Sequence, residues 1–206
     1  GLGRRKPDVG ELDWQIQHPV HFIWVSGGLW AEMNIHQVDE ICWVMDQWPV
    51  SAHGVGGRAA NSADCGQNMD SISIEYTFPD GAKGYSVSRW LPKCHSDFNT
   101  YIHGTKCAAL FPWTLNHRDA VLIYKDQRCA RDNVAWEIGR EGCSHWQAEW
   151  NALLESIRKD LPHNEAKRAA FTNLASIMGR AALHSGKLVT WEEAMASDFQ
   201  FCPGIE

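Results

Sequence analysis

Hydrophobic and polar positions divide the chain into stretches of different period. From Leu29 to about Met45, Ile35, Val38, Cys42 and Met45 recur at spacings of three and four, the apolar stripe of an amphipathic helix. The same spacings gather Glu32, His36, Asp39 and Trp43 on a different face of that helix. From Ser71 the period changes to two. Ile72, Ile74, Tyr76 and Phe78 alternate with Ser71, Ser73, Glu75 and Thr77, which predicts a half-buried strand. Pro79-Asp80-Gly81 supplies turn chemistry and Ala82–Leu91 resumes β character, so a hairpin is expected. Shorter β runs are expected at Val20–Val25, ended by Ser26-Gly27-Gly28, around Tyr101–Leu110 and over Ala120–Tyr124.

The last third reads as helix. Ser144 with Gln147 has capping-box spacing ahead of Trp146, Trp150, Leu153 or Leu154, and Ile157, and Arg158, Lys159 and Pro162 mark the end. Asn164 is placed to cap a second, longer helix carrying Phe171, Leu174, Met178 and Ala181, with Gly186 as its stop. Thr190 with Glu193 opens a third at Trp191. Strands that follow one another without intervening helices favour antiparallel pairing. The expected fold is α+β, a predominantly antiparallel open β-sheet with helices packed on one face. Residues 1–206 read as a single domain in which 1–19 is a polar lead-in anchored by Trp14. A sheet covered on one face leaves the other in need of cover, so a homo-oligomer formed through that face is expected.

Composition narrows the function classes. The chain has 206 residues, 44% of them hydrophobic, which excludes disorder and suits a sizeable core. A net charge of −6, with Arg4-Arg5-Lys6 the only basic cluster, argues against a nucleic-acid partner. No apolar run approaches the ~18 residues of a membrane helix. Gly1–Pro7 lead into a polar segment with no visible signal peptide, which by itself says little; the cytoplasm is the expected location, with export of the intact protein left open. Seven scattered Cys without a Cys-x-x-Cys read as reduced, mostly buried thiols.

Candidate chemistry is sparse. Gly54-Val55-Gly56-Gly57-Arg58 tempts one toward a phosphate cradle, but Ala59-Ala60-Asn61-Ser62 continues as loop and no helix opens there to receive a phosphate. Cys94-His95 and Cys143-x-His145 lack a second pair at zinc-site spacing, so no metal site is expected. The face carrying Glu32, His36 and Asp39 combines a carboxylate and an imidazole one turn apart, a candidate site for acid–base chemistry. Trp24, Trp30 or Trp90 is available as an aromatic wall for a sugar.

The run Gly27-Gly28-Leu29-Trp30-Ala31-Glu32-Met33-Asn34-Ile35-His36-Gln37-Val38-Asp39 resembles the signature of the Gfo/Idh/MocA oxidoreductases. There a glycine pair leads into a helix bearing a carboxylate, a catalytic His four residues later, then Asp. Asn164-Glu165, Ile177-Met178-Gly179-Arg180, Ser185-Gly186-Lys187 and Val189-Thr190-Trp191-Glu192-Glu193-Ala194 resemble the bacterial-type C-terminal domain of the same family. Trp48-Pro49-Val50-Ser51-Ala52 and Glu75-Tyr76-Thr77-Phe78-Pro79-Asp80-Gly81 fit as well, so the likeness runs from about Trp14 to Ser197. The family's N-terminal Rossmann domain, with its glycine fingerprint and Glu-Lys-Pro lysine, has no counterpart here. Many members carry Asp at the position of Glu32 and Gly at that of Asn34, departures that bear on substrate class.

The resemblance implies the substrate-binding and oligomerisation half of a dehydrogenase acting on a sugar, polyol or related carbohydrate. NAD or NADP would serve the intact protein, held by its own Rossmann domain, with none bound by this chain alone. His36 would be the acid/base, and an imidazole's ordinary pKa of about 6.5 suits proton transfer near neutral pH. Glu32 would orient His36 or a substrate hydroxyl, Asn34 and Trp30 would border the substrate, and Asp39 would do so or fix the helix end of the site. Two alternatives stand beside this. One is a non-catalytic interaction module; the other is a metal-dependent hydrolase or isomerase using Glu32 and His36.

Overall fold

The computed structural model describes residues 4–58, 66–112, 121–138 and 144–201. The chain opens with α1 (Glu11–Gln17), a 3₁₀ turn (Pro19–His21), α2 (Ile23–Ser26), a π-helical turn (Trp30–Asn34) and α3 (Ile35–Met45). Strands β1 (Ser51–Gly57), β2 (Ser71–Thr77), β3 (Lys83–Arg89), β4 (Asn99–His103), β5 (Ala108–Pro112), β6 (Leu122–Tyr124) and β7 (Val134–Glu137) follow. Then come α4 (His145–Lys159), α5 (Ala166–Ser185), β8 (Val189–Thr190) and α6 (Trp191–Ala196). Contacts divide the chain into two compact units, Gly1–Cys94 with Lys167–Glu206, and His95–Ala166. Where one sheet was expected, each unit has a four-stranded sheet of its own, antiparallel throughout.

In the first unit the sheet order is β3-β2-β1-β8. The alternation of β2 does what its period implies. Ile72, Ile74 and Tyr76 are buried and share a core with Phe78, with Val38 and Cys42 of α3 and with Ala175, Met178, Ala182 and Leu183 of α5. Each large apolar side chain so buried contributes roughly 1.5–3 kcal/mol of transfer free energy. Both helices lie on one face of this sheet, while Val55, Tyr85 and Val87 stand exposed on the other. Two glycines let α5 approach. A Cβ on Gly54 would come within 2.8 Å of the Leu183 backbone, and one on Gly179 would collide with the Tyr76 hydroxyl. The predicted hairpin forms: Gly81 adopts φ +86°, and its N–H donates to the Phe78 carbonyl at 2.9 Å.

The second unit orders its strands β4-β5-β6-β7 around a small core of Ala108, Leu122 and Tyr124. Its helix α4 begins where Ser144 predicts. The hydroxyl accepts the Gln147 N–H at 3.2 Å, but the Gln147 side chain turns to Asn151, so only half of the expected capping box forms. The stripe Trp146, Trp150, Leu153, Leu154 and Ile157 lies along this helix and is exposed throughout.

Two expectations are corrected, and the lead-in shows structure of its own. Val20–Val25 is a 3₁₀ turn running into α2, not a strand. Pro19 pre-sets helical φ at the first position, Gln67 accepts the Ile23 N–H at 2.8 Å, and Gly27 closes the helix in the left-handed conformation. The lead-in 1–19 contains α1, whose Trp14 meets Phe22 edge-on. Among the described residues Cys42 alone of the free thiols is fully buried; Cys94 and Cys107 are half-buried and Cys129 is exposed. Cys65, Cys143 and Cys202, and the loop reading of 59–62, lie outside the described residues.

Candidate functional site

The site begins at a glycine turn. Gly27 and Gly28 have φ of +84° and +76°, a conformation that side-chain-bearing residues adopt at a cost. Asn68 clamps the turn: its Oδ1 accepts the Leu29 N–H at 2.9 Å while its Nδ2 donates to the Val20 carbonyl at 2.7 Å. A Cβ on Gly28 would overlap that same Oδ1, so Asn68 and the glycine fit only together. The chain then enters the π-helical turn before settling into α3. One residue more per turn re-aims the side chains that follow, and such turns recur at functional sites. The sequence pattern alone predicts an uninterrupted helix here.

What anchors this segment is the side facing the core. Trp30 is 3% exposed and its indole N–H donates to the Ser176 carbonyl of α5 at 2.9 Å, so it packs in the core. Asn34 is buried as well. Asp39 ties α3 to α5, its Oδ1 accepting from Arg168 Nη2 at 2.8 Å and Thr172 Oγ1 at 2.7 Å. Both bonds fall on one carboxylate oxygen and link the two helices. Cys42 lies beneath. Burial first, then the negative charge of Asp39, pushes its thiol up to about 12 against the opposing effect of Arg168.

The other side of the segment is open. Glu32 and His36 are both exposed, and Trp43, two turns beyond His36, is 62% exposed. The structure therefore leaves the carboxylate and imidazole accessible on one surface while burying Trp30 and Asn34 and engaging Asp39. Trp43 is the aromatic on this surface. Its place on the His36 face was legible from spacing, but its exposure was not. Trp24 donates its indole N–H to Gln15 at 2.6 Å, and Trp90 is partly exposed beside His21.

Among the described residues no group of three or more His, Cys, Asp or Glu is placed to hold a metal ion. Gly54–Gly57 lie inside β1, paired with β2, with Gly54 and Gly56 facing Leu183; they form no strand-to-helix turn for a pyrophosphate.

Residues 6–109, half of the chain, match the family model described as the GFO/IDH/MocA C-terminal domain. The chain belongs to this family. Among solved structures similar to it, the aldose-aldose oxidoreductase from Caulobacter crescentus complexed with glycerol is 16% identical with a TM-score of 0.68, over 88% of this chain and 52% of that one. The UDP-N-acetylglucosamine 3-dehydrogenase from Acidithiobacillus ferrooxidans is 20% identical with a TM-score of 0.56, over 74% and 46%. These likenesses show a shared fold, and the chain spans about half the length of these solved structures. No curated protein matches it.

Proposed function

We propose that the chain is the substrate-binding and oligomerisation half of an NAD(P)-dependent oxidoreductase acting on a sugar, polyol or related carbohydrate, with His36 as its acid/base. The observation that carries this is the exposure of His36 and Glu32 on a helix whose opposite side is locked into the core. In a member of this family, an exposed imidazole on so firmly anchored a helix supports the acid/base reading. The solved relatives named above include enzymes whose names specify sugars, which supports a carbohydrate substrate.

In this reading residues 1–206 act as one functional half, and the dinucleotide belongs to a Rossmann domain outside it. The work of this chain is with the proton. His36 takes the proton of the substrate hydroxyl as the carbinol is oxidised and returns it in the reverse direction, while Glu32 orients the imidazole or a neighbouring hydroxyl. Asp39 acts at one remove by fixing α3 through Arg168 and Thr172. Free thiols at Cys42, Cys94, Cys107 and Cys129 suit a cytoplasmic setting. No helix among the described residues is long and apolar enough to cross a membrane.

The test is a panel of aldoses, uronates, nucleotide sugars and cyclic polyols offered with NAD or NADP to the chain joined to its dinucleotide-binding domain. Reduction of the dinucleotide by one carbohydrate class is expected. Absence of reduction across the panel, with dinucleotide binding intact, contradicts the carbohydrate assignment.

A further inference from the structure

Several cations of this chain have a carboxylate at hand: Lys83 has Glu75, Arg128 has Asp132, Arg131 has Glu137 and Arg168 has Asp39. Among the described residues, Arg58, Arg180 and His184 in the first unit have none. Arg180 on α5 is half-buried, donates Nη1 to the Gly27 carbonyl at 3.1 Å, and lies with Cζ 4.8 Å from the centre of the Phe201 ring. One turn on, His184 shares its helix face. Arg58, just beyond β1, donates Nε to the Asn68 carbonyl at 2.7 Å, and Asn68 in turn holds the Leu29 N–H. The two guanidinium groups are thus anchored on partners that meet at the Gly27–Leu29 turn. Contact of Leu183 with Gly54 and Gly56 keeps this end of α5 against the strand that Arg58 extends.

Among the described residues no carboxylate pairs with any of the three, although the chain has 25 acidic residues against 19 Lys and Arg. They act on one another instead. Burial, then Arg180, then Arg58, holds the His184 imidazole below its ordinary pKa, and burial lowers that of Arg180. The dipole at the C-terminus of α5 offsets a cation in the last turn, which suits His184, but its effect fades before Arg180. A guanidinium has five N–H donors, and the Gly27 carbonyl takes one of those of Arg180. A partly desolvated guanidinium with a second one nearby and no carboxylate is costly unless an anion completes the site, and an anion there would also favour the protonated form of His184.

We propose that Arg58, Arg180 and His184 form a binding site for the phosphate or carboxylate group of a small-molecule ligand. Planar guanidinium groups suit two-point bonding to either anion, and both arginines are already oriented by backbone carbonyls. The claim of binding does not rest on the dehydrogenase reading. If both hold, the substrate is an acidic or phosphorylated sugar, because the site flanks the turn that leads into the His36 helix.

The test titrates the 206-residue chain, at constant ionic strength, with inorganic phosphate, glucose 6-phosphate and glucuronate in separate arms. Binding heat and the His184 imidazole resonance are followed. Saturable millimolar binding is expected, with His184 moving toward its protonated position. Binding is expected to be about tenfold or more weaker in Arg180→Gln and Arg58→Gln and unchanged in Lys125→Gln. Arg58→Gln leaves the Arg180–Gly27 contact in place and so tests the site without disturbing that packing. Tighter binding of glucose 6-phosphate or glucuronate than of inorganic phosphate supports an anion carried on a larger ligand, and the reverse order overturns that part. No saturation in any arm, or equal affinity in wild type and both arginine variants, overturns the site.

Discussion

Gly179 shows how little room separates α5 from the sheet. A Cβ there would meet the Tyr76 hydroxyl and lie 2.9 Å from its Cζ, and that hydroxyl is spent on the Ala175 carbonyl at 3.1 Å. Gly179→Ala is therefore expected to lower stability by about 1–3 kcal/mol through overpacking, despite the better helix propensity of Ala. A urea midpoint equal to wild type contradicts this packing. Cys42 gives a second check on the same core. With its thiol pushed up to about 12, it stays protonated and unreactive at pH 8, so iodoacetamide is expected to label Cys129 and spare Cys42 in the folded chain. Peptide mapping that finds the two labelled alike contradicts the burial of α3. Neither Gly179 nor the Asp39–Arg168 pair was legible as a contact beforehand, because each depends on residues far apart in sequence. The apolar stripe of α3 was legible, since its spacing alone carries it.

At the scale of elements, the caps differ in completeness. Thr190 accepts the Glu193 N–H at 3.2 Å while Glu193 returns a bond to the Thr190 N–H at 2.8 Å, a closed capping box; Ser144 achieves only its own half. Thr190→Ala is expected to cost about 1 kcal/mol, and Ser144→Ala less. Denaturant titration showing the reverse order contradicts the cap assignment. Short-range chemistry of this kind was readable: Pro79-Asp80-Gly81 marked the hairpin, and Asn164 accepts the Ala166 N–H at the start of α5. Val20–Val25 was not, because a short apolar run serves strand or helix equally and Gln67, 44 residues from Ile23, helps decide it. The π-helical turn escaped for a related reason, since one added residue in a turn leaves the apolar spacing nearly unchanged.

At the scale of the molecule, the open face of the first sheet remains to be covered. Val55 and Val87 flank Ser73 in register, and both are well exposed, with Val87 at 75%. In the proposed homo-oligomer this row is the contact, so Val87→Glu is expected to shift the sedimentation coefficient toward monomer without loss of secondary structure. An unchanged coefficient contradicts an interface on this face. The site itself was half legible. Spacing put Glu32, His36 and Trp43 on one surface, whereas the burial of Trp30 and the engagement of Asp39 follow from packing against α5. The central claim is that His36 moves the hydroxyl proton, and its most direct test is kcat of His36→Ala in the protein that joins this chain to its dinucleotide-binding domain. A fall of about 10²–10⁴ with unchanged dinucleotide affinity is predicted; a near-normal kcat on the same substrate contradicts it.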